Sequence, residues 1–130
     1  IQKAMKVIEK TIPKSTFIQL NTNRGRTILH FDQVVYIKTA ENDSRDKSVR
    51  LNDGTVLTLK NISFEKLRTV LPARDFCQIN KQEIIALNAV RFFSYDEITT
   101  TISIEKNKDL VLNLGDSFRG EFILKVNRKA

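Results

Sequence analysis

The chain has one cysteine and one histidine in 130 residues, and each scarcity excludes chemistry. A lone Cys77 forms no internal disulfide and builds no cysteine-based zinc site. Its setting, Asp75-Phe76-Cys77-Gln78-Ile79, is strand-like, and there a free thiol reads as a small buried hydrophobe rather than a reactive group. His30 stands beside Phe31 in another strand-like run and reads as a surface or edge-strand residue, with a metal site or catalytic dyad as the alternative. Gly-x-Gly-x-x-Gly, P-loop, His-Glu-x-x-His and Gly-x-Ser-x-Gly patterns are all missing. Glu41, Asp43 and Asp46 form the one local group of acids, but their spacing is not that of a calcium loop, so they read as solvated charge. Catalysis needs a convergent set of titratable groups, and none is visible. The sequence therefore predicts no enzyme, no catalytic residue, no cofactor and no metal ligands.

Long apolar runs are missing too. The longest uncharged stretches, such as Ile84–Val90, have the length of a strand, far short of the roughly 20 residues that a membrane-crossing helix needs. The opening Ile1-Gln2-Lys3-Ala4-Met5-Lys6 alternates charge with small apolar residues and does not form a signal peptide. A chain opening on isoleucine is expected to be a piece of a longer protein with a neighbour upstream. The expected setting is the reducing cytoplasm, with no membrane contact from this segment.

What remains is a globular composition, 41% apolar and 28% charged, in a length that suits one domain. Its 22 basic and 15 acidic residues leave a net charge of +7. Such an excess favours an anionic partner, either nucleic acid or an acidic membrane surface.

Along the chain, Ala4, Met5 and Ile8 recur near helical spacing among lysines until Pro13, which cannot continue a helix. Residues 1–14 are thus expected to be a helical linker and residues 15–130 one domain. From there the pattern is that of strands: Thr16–Leu20, Arg26–His30, Val34–Lys38, Val49–Leu51 and Val56–Leu59, with a polar stretch from Thr39 to Ser48. Asp53-Gly54 supplies the positive φ of a tight hairpin. Ser63–Leu71 predicts an interior helix with Phe64, Leu67, Val70 and Leu71 on one buried face, Ser63 or Asn61 as its cap, and Pro72 as its stop. Strands then resume at Phe76–Ile79, Glu83–Leu87, Arg91–Tyr95, Ile98–Glu105 and Leu110–Leu114. A final helix, capped by Asp116 or Ser117, would carry Phe118, Phe122 and Val126 on one face. The expected fold is mainly β, with one interior helix and short terminal helices.

The order of these elements resembles the LytTR-type DNA-binding domain, the output domain of LytTR-family response regulators. Phe31–Lys38 is similar to that family's opening strand, Asn52-Asp53-Gly54 to its hairpin, and Ile62–Leu67 to its helix. Asp75–Leu87 is similar to its Phe-x-Arg-Val-His-Arg-Ser-x-Ile-Val-Asn-Leu block, and Leu110–Phe122 to its closing strand and helix. The resemblance spans Ser15 to Val126. It implies an elongated stack of antiparallel β-sheets that offers loops, rather than a recognition helix, to successive major grooves of duplex DNA. The implied role is sequence-specific binding as the output part of a bacterial two-component regulator, behind a receiver or sensor domain of the same protein. A second copy on a repeated DNA site is a further implied partner.

By matched position the resemblance implies three DNA-contacting regions: Ser44, Arg45 and Lys47; then Asn80, Lys81 and Gln82; then Gly115 to Arg119, with Ser117 and Arg119 as the polar candidates. The chain departs from the pattern in several places. Asn80 stands where histidine is common, Lys81 where arginine is common, and Gln78 and Ala86 replace an arginine and an asparagine. Gly115-Asp116 stands where many relatives carry arginine. Two other readings compete: a β-rich protein-interaction module with an incidental basic surface, and a single-strand or RNA binder. The second needs an exposed aromatic platform, and its only cluster, Phe92, Phe93 and Tyr95, lies in a strand expected to be buried.

Overall fold

The computed structural model describes residues 16–129, so the expected helical linker over 1–14 lies outside the described residues. Ten strands and two α-helices follow in order: β1 (Phe17–Thr22), β2 (Gly25–His30), β3 (Val34–Thr39), β4 (Lys47–Leu51), β5 (Val56–Leu59), α1 (Phe64–Val70), β6 (Phe76–Asn80), β7 (Glu83–Ala86), β8 (Val90–Phe93), β9 (Glu97–Glu105), β10 (Lys108–Asn113) and α2 (Asp116–Lys129). Seven strands make one antiparallel sheet in the order β2-β1-β5-β4-β3-β7-β6, and three make another in the order β10-β9-β8. The mainly β expectation holds.

The core has two parts, one on each face of the inner strands. Ile37, Val49, Leu57, Leu59 and Ile84 pack with Leu67 and Leu71 of the α1 region. Tyr36, Cys77, Ile79 and Ile85 face the other way, toward Ile98, Ile102 and Leu112 of the small sheet and Phe122 of α2. β3 and β7 are therefore covered on both sides. That is why Ile84-Ile85-Ala86-Leu87 is a continuous apolar run where a half-exposed strand would alternate.

Local signals explain the boundaries. The Ser63 hydroxyl accepts a hydrogen bond from the Lys66 amide at 3.0 Å, capping α1. Leu67 and Leu71 are buried, whereas Phe64 and Val70 are only partly so, because a helix of two turns covers a strip narrower than its own apolar face. The β4–β5 turn closes with Gly54 at φ +91°, a conformation glycine adopts freely. Three expectations need correction. β4 begins at Lys47, which is a buried strand residue rather than part of the polar loop. α2 starts at Asp116, so Asp116 and Ser117 occupy its first turn instead of capping it. β8 ends at Phe93, short of Tyr95, and the aromatics expected to be buried there are not: Phe92 is 62%, Phe93 42% and Tyr95 72% exposed. β8 is an edge strand of a sheet with only three, so little protein remains to cover it.

Candidate nucleic-acid interface

Four connections between elements meet along one rim. Lys38 of β3 pairs with Glu83 of β7 and Thr39 with Lys47 of β4, so the β3–β4 loop and the β6–β7 turn leave the large sheet at the same end. The Thr39 amide donates to the Gln82 carbonyl at 3.0 Å and holds the two connections together. On the other side, the Gly115 amide donates to the Ile79 carbonyl at 2.8 Å, placing the β10–α2 junction against the end of β6. The Leu114 amide donates to the Asp96 carbonyl at 2.8 Å, which adds the β8–β9 turn. Gly115 is closely packed, and a side chain there would press on the Phe118 ring. A Cβ there would stand 3.2 Å from the Phe118 ring and 3.5 Å from the Ile79 carbonyl oxygen.

Asn80 is the joint of this rim. Its amide nitrogen donates to Glu83 Oε1 at 2.7 Å and to the Asn113 carbonyl at 2.8 Å, while its oxygen accepts from the Gln82 amide at 2.8 Å. Both amide protons are thus spent inside the protein, and an asparagine has no others. Glu83 is anchored in turn by the buried Tyr36 hydroxyl, which donates to its other carboxylate oxygen. Burial, and then this bond to a carboxylate, push the Tyr36 pKa strongly upward, so the phenol keeps its proton. Lys81 and Gln82, at the tip of the turn that Asn80 secures, are exposed. Among the described residues the side chain of neither makes an ion pair or a hydrogen bond.

The remaining predicted residues divide in the same way. Ser44 is exposed, and its carbonyl accepts from Lys47 Nζ at 2.8 Å. Lys47 itself is 5% exposed, its ammonium 5.1 Å from the centre of the Phe64 ring. Burial lowers its pKa, against the opposing pull of Asp46 and Asp43. This lysine braces the loop from below. Arg45 is exposed but gripped by Asp43, with Nη2–Oδ2 at 2.9 Å and Nε–Oδ1 at 3.2 Å. That guanidinium holds the Asp43 carboxyl down at about 2. In the third region Ser117 is exposed, whereas Arg119 is largely covered. Its Nε donates to the Tyr95 carbonyl at 2.6 Å, its Nη2 reaches Asp116 at 2.8 Å, and its guanidinium carbon lies 3.6 Å from the Tyr95 ring centre.

Of the eight predicted residues, then, Ser44, Lys81, Gln82 and Ser117 face solvent unencumbered, Arg45 is exposed within an ion pair, and Lys47, Asn80 and Arg119 are spent on the protein itself. Sequence reasoning missed Glu83 and Tyr95. The first carries no signal short of the structure. The second sits in Ser94-Tyr95-Asp96, turn chemistry that could have separated it from the strand before it. Among the described residues no group of three or more His, Cys, Asp or Glu side chains is placed to hold a metal ion, and no helix is long and apolar enough to cross a membrane. Cys77 is buried, and burial raises its pKa to about 11. His30 is exposed on edge strand β2, edge-on to Phe17.

No protein-family model matches the chain, and no curated protein matches it. Among solved structures it is similar to the LytTr DNA-binding domain of a protein from Bacillus cereus described as a methyl-accepting/DNA response regulator, with a TM-score of 0.65 at 16% identity. The match covers 87% of this chain and 98% of that one. The element order expected from the sequence, the two observed sheets and this likeness agree: the chain has the LytTr DNA-binding fold.

Proposed function

We propose that this domain binds duplex DNA through the loops of its rim and serves as the output part of a bacterial transcriptional regulator. One observation carries the reading most directly. The exposed Lys81 and Gln82 stand at the tip of a turn whose neighbours on both sides are fixed by hydrogen bonds. Rigid strands that hold short polar loops can place donors on base edges and phosphates as a helix does. Lys81 supplies a cation, Gln82 can both donate and accept, and Ser44 and Ser117 extend the polar edge to either side. Arg45 joins them by exchanging Asp43 for a phosphate. Exposed ion pairs contribute little, so the exchange costs little. Lys47, Asn80 and Arg119 support the contacts rather than make them. Catalysis has no part in this reading, and the binding domain would act in the cytoplasm behind a receiver or sensor domain, with a second copy on a repeated site.

The single-strand alternative gains nothing from the exposed aromatics. Phe92 and Phe93 pair with adjacent residues of β9, Thr99 and Ile98, so they point to opposite faces, and Phe93 packs edge-on to Phe122. Tyr95 is stacked on Arg119. Three aromatics in three surroundings make no platform for successive bases.

Lys81→Ala tests the reading on a best duplex site and on its single-base variants. If Lys81 reads a guanine, affinity falls by about 1–3 kcal/mol and preference relaxes at one position. If it contacts phosphate only, the loss is uniform across sequences. A folded variant with unchanged affinity removes the turn from the interface.

A further inference from the structure

The third contact region has a gap. Its one arginine, Arg119, is turned inward, and Gly115 and Asp116 bring no cation. What stands out from the protein there is Tyr95, 72% exposed. An exposed tyrosine ordinarily samples several rotamers, and ordering it on binding costs entropy. Tyr95 is already ordered: Arg119 holds its backbone carbonyl at 2.6 Å and stacks on its ring with 3.6 Å between guanidinium carbon and ring centre. The same turn is tied by the Asp96 carbonyl to Leu114, next to the Gly115 that anchors the junction to β6. Tyr95 therefore belongs to the rim that carries Lys81.

We propose that Tyr95 is a nucleic-acid contact residue that replaces the missing cation of the third region, its hydroxyl donating a hydrogen bond to a phosphate oxygen of the duplex. The chemistry fits the placement. A phenol is a neutral donor with a rigid, amphipathic body, and the guanidinium stacked on its ring polarises it toward an anionic acceptor. Because the contact is uncharged, it adds affinity without releasing a counterion, and so leaves the salt dependence of binding where it was.

The inference rests on the duplex-binding reading, and the test separates the two. Tyr95→Phe keeps the ring on Arg119 and removes only the hydroxyl, whereas Tyr95→Ala would also uncover the arginine. Affinity for a promoter duplex is measured for both proteins over a range of salt concentrations, with thermal melting to show that the variant is folded. A loss of roughly tenfold in Tyr95→Phe, the scale of one hydrogen bond to a charged acceptor, with the salt slope unchanged, supports the proposal. Wild-type affinity in the folded variant overturns it while leaving duplex binding intact. Absence of duplex binding by the unmutated chain removes the parent reading and this one with it. A second readout uses the composition: the chain has two tyrosines, and Tyr36 is buried. Fluorotyrosine labelling then gives two fluorine resonances, and the one lost in Tyr95→Phe must shift when duplex is added. If it does not move at saturation, Tyr95 is not at the interface.

Discussion

Arg45 and Lys47 show how little a residue's charge says about its task. They lie two positions apart, one exposed in a loop and the other buried in a strand, and only the first can reach a partner. The ion pair of Arg45 with Asp43 is open to measurement. Arg45 lowers the Asp43 pKa to about 2, through its guanidinium's hydrogen bonds first and its backbone amide's second, with its charge a smaller contribution. A carboxyl depressed on folding stabilises the protein at pH above its ordinary value, near ~3.9, and the contribution is lost as pH falls through its folded value. Arg45→Ala should raise the Asp43 pKa only part of the way back, because the backbone amide of residue 45, 2.9 Å from Oδ1, still donates to the carboxylate. The variant should then lack part of the pH-dependent contribution that the unmutated protein loses between about pH 4 and pH 2. Carbon-detected NMR titration of the Asp43 carboxyl reads this directly. An Asp43 titration unchanged by the substitution would show that the pair does not form in solution.

Among the elements, the strands, the α1 cap and the hairpin at Gly54 were legible in the sequence because each rests on local chemistry: β-branched runs, a capping serine, an Asp-Gly pair. The start of β4 was not, since a lysine beside a polar loop gives no sign that its stem will be buried and its ammonium used by Ser44 and Phe64. The role of Asn80 was hidden for a different reason. Its partner Glu83 is three residues away, but Asn113 comes from the other sheet and the Tyr36 that anchors Glu83 from a distant strand. The two kinds of element should respond differently to substitution. Leu67→Ala, which removes a fully buried side chain between α1 and the sheet, should cost about 2–5 kcal/mol in denaturant unfolding while leaving the rim's affinity in the folded fraction unchanged. Asn80→Ala should lower duplex affinity and speed exchange of the Gln82 amide, which loses its acceptor. Equal effects of the two variants on affinity would mean that Asn80 has no particular role in placing the turn.

For the whole molecule, two independent observations support the proposed duplex partner. The fold arranges four connections on one rim, and the sequence carries an excess of seven positive charges; neither observation requires the other. The region the sequence described least well is the third predicted one, where the inward turn of Arg119 depends on a tyrosine from another strand connection. The measurement that tests the account most directly is binding of the domain to randomised and promoter duplexes over a range of salt concentrations. The predicted result is a linear fall of log affinity with log salt, at a slope of about −0.9 per phosphate neutralised, with tighter binding to the promoter. The contradicting result is a folded domain that shows no salt-sensitive binding to any duplex.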